Sequence, residues 1–134
     1  MSDVNITNYD TVIGKAAGPK WITSEEFDLG GYTAADTFNV LTLGKGSVVL
    51  SAYIEITESA GETCTVDVGI TGGDVDAWLD GADLNAAAGT LVVTVQGASV
   101  TGSLPVAANT LVTVLAVTGS TYAAGKGKVH LLVA

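Results

Sequence analysis

The sequence predicts an all-β fold: an antiparallel β-sandwich with jelly-roll-like connections and about eight strands. Most of its segments show the alternation of apolar and polar residues that a half-buried strand requires, because successive side chains point to opposite faces of a sheet. Turn signals built on Gly, Asn, Asp or Pro recur roughly every ten residues between these segments. Helical spacing is confined to residues 74–80. A chain with this pattern buries its apolar faces by packing one sheet on another.

The N-terminal part predicts an arm followed by the start of the sandwich. Residues 1–19 are mostly polar and end in a Gly-Pro turn signal, so we interpret them as an irregular arm that lies on a neighbour or as a frayed terminus. Residues 20–134 are predicted to form a single β-sandwich domain. Within it, Lys20–Leu29 predicts an edge strand and Thr37–Leu43 a second strand, with a glycine-containing loop between them.

Residues 47–84 are the best-patterned part of the chain and predict two paired strands. The first strand is expected to point one set of side chains inward: Val48, Leu50, Ala52, Ile54 and Ile56. The second is expected to do the same with Cys64, Val66, Val68 and Ile70. The short polar connection Glu58–Glu62 contains Gly and is typical of a hairpin, so the two strands are predicted to be neighbours. Tyr53, Glu55 and Asp67 then fall on the shared outer face.

A helical turn is predicted near residues 74–80, where the apolar period changes from two to i, i+3, i+4. Asp74 is expected to cap its N-terminus, with Asp76 in the first turn at the positive end of the helix dipole. Gly81 is expected to supply the left-handed residue at its C-terminus. So short a helix is not stable alone. We therefore expect Trp78 and Leu79 to insert into the end of the sandwich.

The C-terminal half predicts further strands. They are expected at Gly89–Gln96, at Thr110–Thr118 and at Val129–Ala134, with an additional short strand within Ala98–Ala108, where Pro105 marks an edge or a turn. The terminal segment is expected to pair within a sheet.

Composition and charge exclude several classes of function. A chain of 134 residues can bury a core without disulfides, and its single cysteine, Cys64, is predicted to be a buried, unreactive thiol. No apolar run reaches the roughly 18 residues of a membrane span, so no membrane association is predicted. The net charge is −9, and all five basic residues are lysines. A nucleic-acid backbone would repel such a surface, which also lacks the arginine fork that reads bases, so no nucleic-acid partner is predicted.

The aspartates after residue 73 do not match a known calcium loop. An EF-hand needs Asp or Asn at positions 1, 3 and 5, Gly at 6 and Glu at 12. Counting from Asp74, position 5 is Trp78, position 6 is Leu79 and position 12 is Asn85. Caps and turns explain these aspartates better, and we predict neither a metal nor a cofactor. A calcium ion held across a subunit contact stays open as an alternative.

No catalytic constellation is predicted. His130 is the only histidine, and no Gly-x-Ser-x-Gly nucleophile motif accompanies it. The pairs Glu25 with Glu26 and Glu55 with Asp67 superficially resemble a glycosidase pair, but aromatic residues make up only 6% of the chain and indicate no sugar-binding cleft. We interpret the carboxylates as solubilising surface charge and predict that the protein is not an enzyme.

The segment from Glu26 to Leu91 resembles a pattern found in structural proteins of tailed bacteriophages. The pattern is carried by the segments Phe27–Tyr32, Phe38–Leu43, Val66–Ile70, Asp74–Leu79 and Asp83–Gly89, with a Lys-Gly turn after the second. The resemblance implies a small β-sandwich subunit without enzymatic activity. Such subunits decorate or cement the outside of a capsid, commonly as trimers on local threefold axes.

This resemblance predicts a capsid decoration or cement protein that binds the major capsid protein on the capsid exterior as a homotrimer and stabilises the head. It would be assembled in the host cytoplasm. A mean hydropathy of +0.47 is high for a small soluble monomer and favours apolar contacts between subunits. The candidate contact residues are Trp21, Phe27, Tyr32 and Tyr53, with Trp21 and Phe27 equally open to a core role. The alternative function is an adhesin module of a head fibre or tail fibre that binds host surface glycans.

Overall fold

The computed structural model describes residues 19–70, 73–92, 95–102, 104–118 and 121–134. The arm predicted at residues 1–19 therefore lies outside the described residues, except for Pro19. The strands, in chain order, are β1 (Lys20–Thr23), β2 (Phe27–Asp28), β3 (Thr37–Leu43), β4 (Val49–Glu58), β5 (Thr65–Gly69), β6 (Leu79–Asp83), β7 (Leu91–Val92), β8 (Val95–Gln96), β9 (Thr110–Thr118) and β10 (Lys126–Val133). One short helix, α1 (Ala98–Thr101), completes the described elements.

The strands form two antiparallel sheets packed face to face. Sheet A has the order β1-β10-β4-β7, with β2 also paired to β10, and sheet B has the order β3-β9-β5-β6-β8. The antiparallel β-sandwich predicted from the sequence is confirmed. The last strand, β10, lies between β1 and β4 and pairs with β4 from Lys126 to Val133, so the C-terminal strand is held in the sheet as expected.

Two predicted connections are wrong. The segment Glu58–Glu62 does not close a hairpin: β4 belongs to sheet A and β5 to sheet B, so this connection crosses from one sheet to the other. The strand predicted over Gly89–Gln96 is likewise divided, with β7 paired to β4 in sheet A and β8 paired to β6 in sheet B. A polar, glycine-containing loop can form either connection, and the strand pattern does not distinguish them.

The core lies between the inner faces of the two sheets. The alternation in β4 buries Ala52, Ile54 and Ile56, and that in β5 buries Val66 and Val68. These side chains are fully removed from water, which stabilises the fold by roughly 1.5–3 kcal/mol for each large aliphatic residue. The period of two predicted the inner face correctly over most of both strands.

A bulge in β4 changes the face of the residues that precede Ser51. In the ladder with β10, Leu132 pairs with Ser51 and Val133 pairs with Val49, so Leu50 is an extra residue on β4. As a result Val49 is buried and Leu50 is 39% exposed. The predicted inward positions of Leu50 and Val48 are therefore wrong, because an extra residue reverses the alternation beyond it.

Residues 74–80 form a turn and the start of a strand, not the predicted helical turn. The N–H of Ala77 donates to the carbonyl of Asp74 (3.2 Å) and that of Trp78 donates to Val68 (3.0 Å), after which Leu79 begins β6. Gly81 has a φ of 75°, but it lies within β6 and does not end a helix. The helix prediction failed because Trp78 and Leu79, two buried neighbours at the start of a strand, give the same i, i+3, i+4 spacing from Val75 as a helical turn.

The helix found in the described residues is α1, which lies inside the segment where a strand was predicted. It begins after Gly97, buries Val100 and ends at Gly102. Pro105 forms an isolated bridge with Val48, which agrees with its predicted edge position. None of the helices in the described residues has the length and apolar character that a membrane span requires.

Candidate protein-interaction surface

The outer face of sheet A brings together side chains from four strands that can contact a partner. The ladders place Thr23 of β1 opposite His130 of β10, and His130 opposite Tyr53 of β4. Leu91 of β7 lies opposite Glu55 of β4 and is 56% exposed. Residues directly opposite each other in an antiparallel pair point to the same face, so these side chains share one surface. We call it the sheet A face.

Three rings form a continuous row across the sheet A face. The ring of Tyr53 stacks on that of His130, with centroids 4.6 Å apart and planes inclined by 11°. Trp21 packs edge-on against Tyr53, with a centroid distance of 5.2 Å and an angle of 64°. Trp21 is 50% exposed, so this aromatic row presents a large ring to solvent on a rigid backing. Such aromatic contacts contribute roughly 0.5–1.5 kcal/mol beyond the area they bury.

His130 is held in the aromatic row by both of its ring nitrogens. Nδ1 lies 2.8 Å from Oγ1 of Thr23, and Nε2 lies 2.9 Å from Oε1 of Glu55. The three residues come from three strands, so their hydrogen bonds fix the ring orientation across β1, β10 and β4. The hydroxyl at Nδ1 is a threonine on an edge strand. A hydroxyl, an imidazole and a carboxylate in hydrogen-bond contact are the group types of a catalytic triad, and here they lie on the outer face of a sheet and hold the ring of His130 in the row.

The predicted pairing of Glu55 with Asp67 is wrong. Glu55 lies on β4 in sheet A, whereas Asp67 lies on β5 in sheet B and is only 8% exposed. The two carboxylates therefore lie on different sheets and do not share one face. The outward position predicted for Asp67 on a face shared with Tyr53 is corrected for the same reason.

Tyr32 and Phe27 lie apart from the aromatic row, at the opening between β2 and β3. Tyr32 is 49% exposed and packs edge-on against Phe38, with centroids 4.9 Å apart. Phe27 is 4% exposed and lies 6.4 Å from Phe38, so it belongs to the core. Of the four predicted contact residues, the structure brings Trp21 and Tyr53 together, places Tyr32 on a second surface and buries Phe27.

The residues predicted as plugs are buried in the core, whereas those predicted as helix caps take other positions. Trp78 is 1% exposed and Leu79 is fully buried, so both side chains lie in the core. The Asp74 carboxyl interacts with the side chain and the backbone N–H of Asp76, and the side-chain contact raises its pKa above the ordinary value. Asp74 therefore closes a turn, because no helix follows it.

Asp76 and Asp80 approach Asp67 on the outside of sheet B. Their carboxylate atoms lie within 4.8 Å of one another. Burial raises the pKa of Asp67, the N–H of Gly81 that donates to its Oδ1 (2.8 Å) lowers it, and the charges of Asp80 and Asp76 raise it further. The group does not follow the spacing of a calcium loop, and close carboxylates are common without an ion.

Cys64 is buried and unreactive in character, as the sequence predicted. Burial raises its pKa to about 11, and a hydrogen bond with Tyr122 partly offsets that rise. The thiolate is the nucleophilic form of cysteine, so a thiol with this pKa is almost entirely unreactive at neutral pH.

Sequence reasoning missed His130 and Leu91 as members of the sheet A face. Both lie on strands whose partners could not be read from one sequence. The signal that could have found His130 is the alternation in its strand. Val129 and Leu131, which flank it in the sequence, are apolar and fully buried, so His130 between them must point to the outer face.

Comparison with solved structures finds this fold in phage capsids. The chain is similar to one in the capsid asymmetric unit of cyanophage Pam1 (21% identity, 87% of this chain and 86% of that chain, TM-score 0.59). It is similar to one in the capsid of Ralstonia phage GP4 (18% identity, 87% and 84%, TM-score 0.61). A chain in an acid-stable capsid of Helicobacter pylori bacteriophage KHP30 matches less closely (16% identity, 87% and 92%, TM-score 0.50).

No protein-family model and no curated protein matches the chain. The likeness therefore rests on the fold, and at these identities it concerns the fold alone. At that level it confirms the resemblance to β-sandwich proteins of phage capsids that the sequence indicated.

Proposed function

We propose that this protein is a non-enzymatic virion structural protein, a capsid decoration or cement protein that binds the outer capsid surface and stabilises the head. The observation that carries the proposal is the exposed, rigidly backed Trp21 on the sheet A face of a sandwich whose fold occurs in phage capsids. Buried aromatic anchors supply most of the energy of protein interfaces, and ordering them in advance lowers the entropy cost of binding.

The proposed partner is the major capsid protein, and the proposed state is a homotrimer on the capsid exterior. The sheet A face supports a protein partner because it combines exposed apolar side chains, Trp21 and Leu91, with the charged groups Glu55 and Lys128. A mixture of apolar anchors with a polar surround is typical of protein interfaces. A homotrimer would use a second surface for contacts between its own subunits.

The strand order supports the jelly-roll-like interpretation of the sandwich. In sheet A, β1 lies beside β10. The chain also crosses between the sheets repeatedly, since β3 lies in sheet B, β4 in sheet A and β5 in sheet B. Repeated crossing between two sheets is what a double-sheet jelly roll requires. This architecture buries both inner faces and leaves the outer faces free for assembly.

Reconstitution on stripped capsids tests the proposal. Purified protein should be a stable oligomer by light scattering, and adding it to capsids that lack it should restore resistance to heat and to chelator. The double variant Trp21→Ala with Tyr53→Ala should lose this protection. Leu111→Ala, which changes a similarly exposed apolar residue (45%) on sheet B, should keep it. A monomer without affinity for capsids would contradict the proposal.

A second candidate function is the adhesin module that binds host glycans. It is favoured by the aromatic row, because an exposed tryptophan with hydrogen-bonding groups nearby is the kind of platform on which sugar rings stack. A glycan array distinguishes it from the first proposal. Reproducible hits that disappear in the Trp21→Ala variant would favour the adhesin, whereas no hits with intact capsid binding would favour decoration.

A further inference from the structure

A groove opens at the edge of the sandwich, where β2 of sheet A faces β3 of sheet B. It has a volume of about 680 Å³ and lies between the β2 region and β3. The residues that matter here are Glu25, Glu26, Phe27, Tyr32, Phe38 and Val40. We call it the β3 groove. Its floor is aromatic, since Phe38 contacts both Phe27 and Tyr32.

The strand beside the groove is an open sheet edge, and a bulge is the only one of the usual protections that it carries. In the described part of the chain β3 pairs only with β9, so one side of Thr37–Leu43 faces away from the sheet. Natural edge strands are commonly blocked by charged residues, by Pro or by a bulge. The sequence of β3, TFNVLTL, has neither charge nor Pro, and its one irregularity is the bulge at Val40 between Asn39 and Leu41.

The rim of the groove is acidic. Glu25, Glu26 and Asp28 line it, and no lysine is among its lining residues. Lys126 lies opposite Asp28 in the ladder of β10 with β2 and offsets that charge. Glu26 is fixed in place, because its Oε2 accepts a hydrogen bond from Oγ1 of Thr57 (2.6 Å). Glu25 is exposed at the opening.

We propose that β3 receives an extended, lysine- or arginine-bearing segment of a partner protein by strand addition. The segment would add to the open edge through backbone hydrogen bonds. Its alternate side chains would enter the β3 groove, with apolar ones on Tyr32 and Phe38 and basic ones at Glu25 and Glu26. Strand addition draws affinity from the main chain and specificity from such pockets.

The charges argue against the two other candidate occupants of this edge, which are a second copy of the chain and the chain's own residues 1–18. A second copy would bring a second acidic rim toward the first, in a chain whose net charge is −9. Residues 1–18 of the chain itself carry two aspartates and one lysine, so they offer no basic complement. A basic segment from a different protein is the occupant that gains from the rim.

The test is a titration of the full-length ¹⁵N-labelled protein with a synthetic heptapeptide of sequence Lys-Val-Lys-Val-Thr-Val-Lys, followed by amide chemical shifts. We expect saturable changes confined to Thr37–Leu43 and the groove residues. The same peptide with glutamates for lysines should not bind, and a version with a central proline should not bind because it cannot complete the ladder. Absence of binding at millimolar peptide, or equal binding of the proline version, would overturn the proposal.

Variants at the rim give a second readout that does not depend on altering β3. The double variant Glu25→Gln with Glu26→Gln should bind the lysine peptide about three- to tenfold more weakly and with less dependence on salt. The double variant Glu62→Gln with Asp83→Asn also removes two charges, at residues that do not line the β3 groove, and as the charge-matched control it should bind normally. Equal losses in both variants would show that net charge alone attracts the peptide, which contradicts a specific groove.

Two further measurements identify the other occupants. If the β3 amide signals change with protein concentration in the absence of peptide, a second copy occupies the edge and the proposal fails. If removal of residues 1–18 changes the same signals in dilute protein, the chain's own N-terminal residues occupy it, and the proposal fails as well. Capsid binding is measured in a separate assay. The peptide can therefore bind at β3 even if the protein does not bind capsids, and the protein can bind capsids even if the peptide does not bind at β3.

Discussion

Gly97 is the position where one added methyl group should cost the most stability for its size. It precedes α1 and packs against the turn formed by residues 74–77. A Cβ built at Gly97 would lie 2.2 Å from the carbonyl oxygens of both Asp76 and Ala77. These are backbone atoms, so no side chain can rotate away to relieve the contact. The Gly97→Ala variant must displace either the turn or the start of α1.

The size of the effect follows from the hydrogen bonds that this displacement breaks. The N–H of Gly97 donates to the carbonyl of Trp78 and that of Ser99 donates to Ala77, both at 3.0 Å. Each bond contributes roughly 0.5–1.5 kcal/mol, and overpacking adds about 1–3 kcal/mol. We therefore expect Gly97→Ala to lower the free energy of unfolding by about 2–6 kcal/mol, a large share of the roughly 5–15 kcal/mol of an ordinary domain.

Urea unfolding, followed by circular dichroism at one fixed protein concentration, measures this loss. Two matched controls separate the clash from other effects of a glycine replacement. Gly44→Ala has its nearest neighbour, Oγ of Ser47, at 4.0 Å and should be neutral or stabilising by up to about 1 kcal/mol. Gly46→Ala has open space but a φ of +87°, and should cost about 1–2 kcal/mol. A Gly97→Ala variant no less stable than Gly46→Ala would refute the reasoning.

Three further predictions concern buried groups. The pKa of Asp67 is raised above 3.8 in the folded state, so the native protein binds a proton at this carboxylate more tightly than the unfolded chain does. The contribution of Asp67 to stability therefore falls as the pH rises through the folded pKa. Asp67→Asn should therefore be more stable than the wild type at pH 7 in urea unfolding, with the advantage vanishing below about pH 4, and an advantage that grows in acid would contradict the sign. Cys64, with its pKa of about 11, should resist iodoacetamide in the folded protein at pH 8 and react on unfolding, as mass spectrometry would show; equal rates in both states would contradict its burial. The indole N–H of Trp78 is buried without a hydrogen-bond partner among the described residues, so replacing the ring with another aromatic ring breaks no hydrogen bond. In the same urea assay Trp78→Phe should lower the free energy of unfolding by less than about 2 kcal/mol and Trp78→Ala by about 3–5 kcal/mol. Equal losses in the two variants would exclude this account.

Strand positions were predictable from the sequence wherever alternation continued without interruption. The bounds predicted for Thr37–Leu43 and Thr110–Thr118 are those of β3 and β9. Each of these segments combines β-branched or aromatic residues with turn residues at both ends, which are local signals. The inner face of β4 was also predicted correctly beyond Ser51, because the period of two holds there.

Pairing partners were not predictable, because alternation shows which side chains are buried and not which strand lies alongside. The connection Glu58–Glu62 has the composition of a hairpin, and yet the chain uses it to cross the sandwich. Bulges are equally hidden from the pattern. Nothing in the sequence around Leu50 marks it as an extra residue, because the bulge is defined only by its pairing with β10.

The candidate site shows the same division. The outward position of Tyr53 follows from the alternation in β4, so part of the surface could be predicted, whereas Trp21 suited the core as well as an interface. Phe27 could not be assigned, since a large aromatic at the start of a sandwich suits the core as well as an interface. The aromatic row depended on the register of β10, which brings His130 opposite both Thr23 and Tyr53.

The sheet A face is therefore a product of the completed fold and not of any one segment. Its main side chains, Trp21, Tyr53 and His130, come from β1, β4 and β10, and β10 lies between the other two strands. Without β10 the hydrogen bonds from His130 to Thr23 and Glu55 cannot form, and Trp21 loses its place beside the row. Pairings this distant in sequence form slowly, since loop-closure entropy opposes them. The sheet A face forms once β10 has paired. The proposed capsid contact is therefore present only on a completely folded sandwich.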